Sequence, residues 1–233
     1  MGAERIQGAL HHIGIFLSHQ TIHNVLARNG LPPVPIRDGD SDWAQFMERH
    51  LDLMVVTDFF TIESLGLRGL ITHYVLFFID LKTRLVAIGG VTTNRNEQRM
   101  VQVARNMTME DNPFFNGKTI LLHDRDSKYC KAFRRVFKQQ GVDPLKLPAF
   151  SPDLNAHAER RVKSIKSECL QYLIPLGRGF IERAVTQYAL HYNIERAHQG
   201  LNDSVLTPLK APFNRDSPVK VSHRIGNLLS YYR

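Results

Sequence analysis

The chain has 233 residues, 43% of them hydrophobic, with a formal net charge of +8 and a pI near 9.7. That length accommodates one full α/β domain and a small appendage, and no apolar run approaches the roughly 18 residues of a membrane span. The two cysteines, Cys130 and Cys169, form no CxxC pair; this excludes a Cys-based zinc finger and argues against a disulfide framework. The start, MGAERIQGAL, has no apolar stretch of the kind a secretory leader carries. The expectation is a cytoplasmic protein with reduced thiols. The basic balance points to an anionic partner, nucleic acid first. Between Lys118 and Lys146 eight Lys/Arg face three acids.

In chain order, Ile6, Ala9, Leu10 and Ile13 carry helical spacing, broken at Gly14. Ser18 is placed to cap a second helix, with Ile22, Val25 and Leu26 on one face, Gly30 as a stop and Pro32-Pro33 beyond it. Two short helices around a glycine turn read as a helix-turn-helix. In that reading His19, Gln20, His23 and Asn24 point outward toward DNA; the alternative is an ordinary helical hairpin. Residues 34–50 read as a linker and a short helix, with Trp43 as a packing anchor beside Phe46 and Met47. Three β-rich runs follow, 53–62, 73–81 and 84–93, spaced as an antiparallel meander. The spacing then predicts a helix over 97–108, a strand over 117–124, a helix over 127–141, a short strand over 144–148 and helices over 155–173 and 180–193. This order predicts a mixed sheet flanked by helices. Residues 211–233 read only as a basic, partly apolar tail.

Acids inside apolar strands need compensation. Asp58 sits in VVTDFFTI, Asp80 ends LFFIDL, and Asp124 closes LLHD. A divalent cation would offset Asp58 and Asp124, and oxygen-only ligands favour Mg²⁺ or Mn²⁺. Glu159 is the candidate third carboxylate, with Lys163 and Lys166 on the same helix face. Each of these acids alone has an ordinary structural explanation, a turn residue or a surface Glu–Lys pair.

Their order changes the reading. Asp58 on a first strand, Asp124 ending a fourth and Glu159 on a later helix resemble the Asp-Asp-Glu centre of retroviral-integrase-type transposases of bacterial insertion sequences. Thirty-four residues lie between Asp124 and Glu159, close to that family's usual spacing. HDRDSKY resembles its His-Ser-Asp-Arg-Gly-x-x-Tyr block, SPDLNAHAERRVKSIKSECL its Asn-Ala-x-x-Glu block, and HYNIERAHQG its Tyr-Asn-x-x-Arg-x-His block. The resemblance spans about residues 45–210, and the front segment is similar to the DNA-end-binding part of such transposases. Two departures stand out. His123 and Asp126 replace the usual Ser and Gly around the second Asp, which makes Asp126 a rival ligand to Asp124. The front segment is also shorter than usual, as in a truncated reading frame.

The resemblance implies an α/β, ribonuclease-H-like mixed five-stranded sheet flanked by helices and preceded by a small helix-turn-helix. The implied domains are 1–33, 34–50, 51–210 (catalytic core) and 211–233. It further implies metal-dependent DNA cleavage and strand transfer, with two Mg²⁺ or Mn²⁺ ions held by Asp58, Asp124 and Glu159. Lys163, Lys166, Arg125 and Lys128 would grip phosphates, and Lys131, Arg134 and Arg135 would extend that basic surface. The implied partners are double-stranded DNA, both element ends and target, and further copies of the chain, in a bacterial, nucleoid-associated setting with no membrane. Tyr129 lacks the Arg/His set of a tyrosine recombinase. His191 and His198 are expected to be structural. The rival readings are a nuclease of the same fold that does not join strands, and a DNA-binding remnant without catalysis.

Overall fold

The computed structural model describes residues 6–7, 10–11, 14–29, 45–66, 69–94, 96–147, 152–198, 201–207 and 220–232, with only the backbone at 19, 23 and 152–157. It divides into two units, Met1–Arg49 and His50–Arg233.

In the first unit, helix α1 (His19–Arg28) starts where Ser18 Oγ accepts the Thr21 amide at 3.1 Å. Gly14 adopts φ +79° before it, and residues 6–7 and 10–11 are also helical. The expected glycine stop at Gly30, the prolines after it and the Trp43 anchor lie outside the described residues.

The second unit is built on five strands: β1 (Met54–Gly66), β2 (Gly69–Asp80), β3 (Val86–Thr92), β4 (Ile120–His123) and β5 (Asp143–Lys146). Their spatial order is β3-β2-β1-β4-β5. The first three pair antiparallel as expected, while β4 joins β1, and β5 joins β4, in parallel. Helix α2 (Glu97–Met107) carries the chain from β3 toward β4, and α3 (Lys131–Gln139) links β4 to β5. Helices α4 (Pro152–Glu168) and α5 (Arg178–Ile194) follow β5. Pro144 is tolerated because β5 is an edge strand.

Alternation along β2 sends Val75, Phe77 and Ile79 to one face and Leu76 and Phe78 to the other. The first set packs with Phe60, Ile62 and residues of α4 and α5, including Ala158, Ile165, Val185 and Tyr188. The second packs with Val55 and with Met100, Val103, Phe133 and Phe137 of α2 and α3. The sheet therefore has helices on both sides.

The structure differs from the sequence expectation in four places, one being that the helix expected over 155–173 runs Pro152–Glu168 and is followed by a separate 3-10 turn at Leu170–Tyr172. β1 and β2 run on as a two-stranded ribbon to Gly66 and Gly69, past the point where β4 and β3 accompany them. Residues 61–65 alternate exposed and buried, a strand pattern hidden because the buried Ser64 is polar and the exposed Leu65 is apolar. Helix α3 starts at Lys131, not 127, because Cys130 Sγ accepts the Phe133 amide as an N-cap. Residues Val221–Arg224 and Leu229–Tyr232 form a hairpin, β6–β7, that seats Leu229 in the core beside α5.

Candidate active site

Parallel pairing of β1 with β4 ends at the rung Thr57–His123. Asp58 on β1 and Asp124, one residue past the end of β4, directly follow that rung, at the point where the strands part. Both side chains are half-buried. Asp58 lies on the α4/α5 side of β1, the side that also carries Phe60 and Ile62.

Burial is the main reason the Asp58 carboxyl is held above the usual aspartate range; Asp124 and, more weakly, Asp126 push it the same way. The Phe59 amide, which donates to Asp58 Oδ1 at 2.7 Å, and Lys128 oppose that shift. Tyr129 lies beneath the pair, 3% exposed, and burial and the two aspartates drive its hydroxyl well above its ordinary pKa. His123 is 1% exposed, with its ring 4.7 Å from that of Tyr129. Its Nδ1 donates to the Asp124 carbonyl at 2.6 Å. Burial is the main reason its pKa is lowered, which favours the uncharged ring beneath the turn.

The two rival aspartates differ in their engagement. Asp124 Oδ1 accepts the Asp126 amide at 3.1 Å. Asp126 accepts the Lys128 amide at 3.0 Å and is ion-paired with the Lys128 ammonium. Lys128 is thus turned back onto its own loop, 5.0 Å from the Phe59 ring centroid. Arg125 is exposed and donates Nε to the Leu147 carbonyl at 3.4 Å.

Beside Asp58 opens a groove of about 680 Å³ lined by Asp58, Thr61, Glu159, Lys163, Lys166 and Gln171, with Phe60 and Val162 as its floor. Its second wall is one face of α4, which presents Glu159, Lys163 and Lys166 together because they recur at i, i+4 and i+7. Glu159 and both lysines are exposed. The structure therefore brings Asp58, Glu159, Lys163 and Lys166 to one groove; Asp124 stands close enough to raise the Asp58 pKa but does not line that groove. Among the described residues, no three His, Cys, Asp or Glu side chains converge tightly enough to form a ready-made metal cage.

Asp80, the third strand acid, has a different fate. It is 5% exposed and its Oδ2 is paired with Lys118 at 2.8 Å, while Oδ1 accepts the amides of Lys82 and Thr83. In the first unit Gln20 and Asn24 are exposed and bonded to each other at 3.2 Å; the side chains of His19 and His23 lie outside the described residues.

Sequence reasoning did not show what HYNIERAHQG does. Asn193 pairs its amide with both backbone groups of Val86, at 2.8 and 3.0 Å. Arg196 makes a fork to Glu168 of α4 at 2.7 and 2.8 Å. His198 donates Nε2 to the Tyr192 carbonyl at 2.9 Å and accepts from Arg196 at 3.2 Å on Nδ1. His191 and Arg224 both meet Glu195, which joins the terminal hairpin to α5. Both histidines are buried and structural. Cys169 is buried and its thiol is pushed up to about 12.

No family model matches the sequence, and no curated protein matches it. One solved structure shows the class of fold, which is ribonuclease-H-like. The chain is similar to one in a simian T-cell lymphotropic virus intasome in complex with PP2A regulatory subunit B56 gamma. That match has a TM-score of 0.53 and 12% identity over 78% of this chain and 66% of that one. It is also similar to the catalytic core domain of BIV integrase (TM-score 0.47, 11% identity, 61% and 84% covered). A third neighbour is the HTLV-2 integrase catalytic core domain in complex with magnesium (TM-score 0.49, 10% identity, 66% and 93% covered). Among the described residues, no helix is long and apolar enough to cross a membrane.

Proposed function

We propose that this chain is a metal-dependent polynucleotidyl transferase that cuts and joins DNA, as the transposase of a bacterial insertion sequence. One observation carries the reading: Asp58, which follows the last parallel rung of β1 and β4 as Asp124 does, lines a groove whose other wall presents Glu159, Lys163 and Lys166. A carboxylate whose proton affinity is raised by burial and by a neighbouring carboxylate, as that of Asp58 is, is poorly compensated without a cation. The donors are all oxygen, which suits Mg²⁺ or Mn²⁺. Asp58 and Asp124 would hold the metal, with Glu159 joining from α4; Asp126 is already engaged by Lys128. A bound divalent cation would supply charge neutralisation at a phosphodiester and an activated oxygen nucleophile. Lys163 and Lys166 hold the incoming backbone by its phosphates. Arg125 and Lys128 border the same end of the sheet, and in the helix-turn-helix reading His19, Gln20, His23 and Asn24 of α1 contact DNA. Assembly of several copies on paired DNA ends belongs to the same proposal.

The test is strand transfer on a branched duplex that mimics the joined product, with Mg²⁺ or Mn²⁺, comparing wild type with Asp124→Asn, Glu159→Gln and Asp126→Asn. Metal-dependent resolution by wild type and Asp126→Asn, but not by the other two, is expected. Cleavage without joining would favour a nuclease. Equal background in wild type and Asp124→Asn, with folded protein, would refute catalysis and leave a DNA-binding remnant.

A further inference from the structure

The β1–β2 ribbon ends beside the chain that joins α4 to α5. The Leu65 amide donates to the Pro175 carbonyl at 3.3 Å, which brings Ile174 and Leu176, the neighbours of Pro175, next to the ribbon tip. Leu65 pairs with Leu70 one rung before the ribbon closes, so their side chains share a face. Ile71 leans over Gly66, where its Cδ1 fills space that a Cβ would need. Tyr172 ends the 3-10 turn that opens the connection. Leu65, Leu70, Ile71, Tyr172, Ile174 and Leu176 are all between 43% and 70% exposed. None of them seats its own segment. The connection is anchored by Leu170 and Leu173, and the ribbon by Ile62 and the buried Ser64–His73 bond, all turned inward.

At roughly 100 Å² apiece for side chains of this size, the six present about 600 Å² of apolar surface. That is the top of the range for the largest patch on a monomer, a size that marks an interaction site. It is also most of the roughly 800 Å² per partner that an interface of standard size buries. Residues 69–72 and 169–176 carry no charge, so a phosphate backbone finds no cation in either run. In a chain of net charge +8, such a neutral region is where like-charged copies can meet without repulsion. The outer edge of β2 adds a second element. Past the Tyr74–Thr92 rung no described strand pairs with it, and residues 69–73 hold no Lys or Pro to blunt it. An open edge set antiparallel to its own copy about a two-fold axis is self-complementary, as an isologous interface requires. We propose that the ribbon tip and the α4–α5 connection form a docking surface for a second copy of this chain. This deepens the assembly of copies put forward above by naming its surface, and rests on that part of the reading alone.

Sedimentation equilibrium of the full chain without DNA tests this. Wild type is expected to pass from monomer to dimer as its concentration rises. Leu70→Glu/Ile174→Glu brings two carboxylates from each copy into the interface, because a two-fold axis counts every change twice. It should weaken the dimer by about 100-fold or more. Met109→Glu/Val221→Glu adds the same charge at exposed apolar positions elsewhere and should leave the dimer unchanged. A wild type that stays monomeric at every concentration overturns the proposal and leaves the patch to a different protein. A dimer that the first pair does not weaken, or that the control pair weakens equally, overturns it by placing the interface elsewhere. Should the first pair unfold the chain, a cross-link decides. Leu70→Cys should give a disulfide-linked dimer under copper-catalysed air oxidation and Val221→Cys should not; no link at position 70, or an equal one at 221, refutes the surface. Strand transfer by a chain that never dimerises would overturn this surface and leave the DNA-acting reading standing. A dimer without strand transfer would keep the surface and remove that reading.

Discussion

Replacing Lys118 with Met separates the acid that builds the fold from those assigned to chemistry. Asp80 and Lys118 have side chains only 7% and 9% exposed and meet at 2.8 Å. Met preserves the aliphatic length of lysine but leaves the Asp80 carboxylate buried without its cation. Removing one partner of a buried pair costs about 3–5 kcal/mol. Asp80 Oδ1 keeps two amide donors, which places the expected loss near the lower end, about 3 kcal/mol. For a domain of this size that is a fall in Tm of roughly 6–12 °C. Urea denaturation with an unchanged m value reads the loss directly. The double variant Asp80→Asn/Lys118→Met, which removes the stranded charge, should recover more than half of it. Asp80 pairs with Val55, three residues before Asp58 on β1, about 10 Å along the strand. Strand transfer below the melting range should therefore be unaffected. A cost under about 1 kcal/mol, the range of an exposed pair, or a double variant no more stable than the single one, would refute this reasoning.

The Asp58 carboxyl, raised in the fold above its ordinary 3.8, contributes stability that is complete below pH 3.8 and lost as pH rises through its elevated value. Urea midpoints across pH 3.5–7 should show this slope in wild type, not in Asp58→Asn, and Mg²⁺ should offset it at neutral pH. His198, brought down to about 4 chiefly by burial and then by Arg196, behaves oppositely. Its contribution is present above pH 6.5 and is lost as pH falls through about 4, and an NMR titration should find its ring neutral at pH 5.5. Arg196→Lys keeps the charge but loses the two-pronged contact to Glu168, and should cost about 1–3 kcal/mol by chemical denaturation.

The strands of the core were legible because β-branched and aromatic residues alternate or cluster between turn residues, and Asp58 stood out as a charge in such a run. What brings Asp58 to Asp124 is the parallel register of β1 and β4, a pairing 66 residues apart in sequence that no local pattern announces. The same holds for Asn193 on Val86, 107 residues away, and Arg196 on Glu168, 28 away: the motif was visible and its contacts were not. Asp80 and Asp58 looked alike in sequence; only the position of Lys118 distinguishes them. The β6–β7 hairpin escaped notice because its strands are four residues long and its turn depends on Ile225, Gly226 and Asn227 in left-handed conformations.

The β1–β2 ribbon gives the groove walls of unequal stiffness. Through Thr57, β1 is flanked on both edges; past Thr61 and Tyr74 the two strands have only each other, the buried Ser64–His73 bond between them and one amide tie from Leu65 to Pro175. A lone pair of strands is marginally stable in water, so amides of residues 62–66 should exchange with solvent far sooner than those of 54–57. Asp58 stands at the root of this arm. The anchored end of β1 therefore holds Asp58 beside Asp124 independently of any opening at the outer rungs.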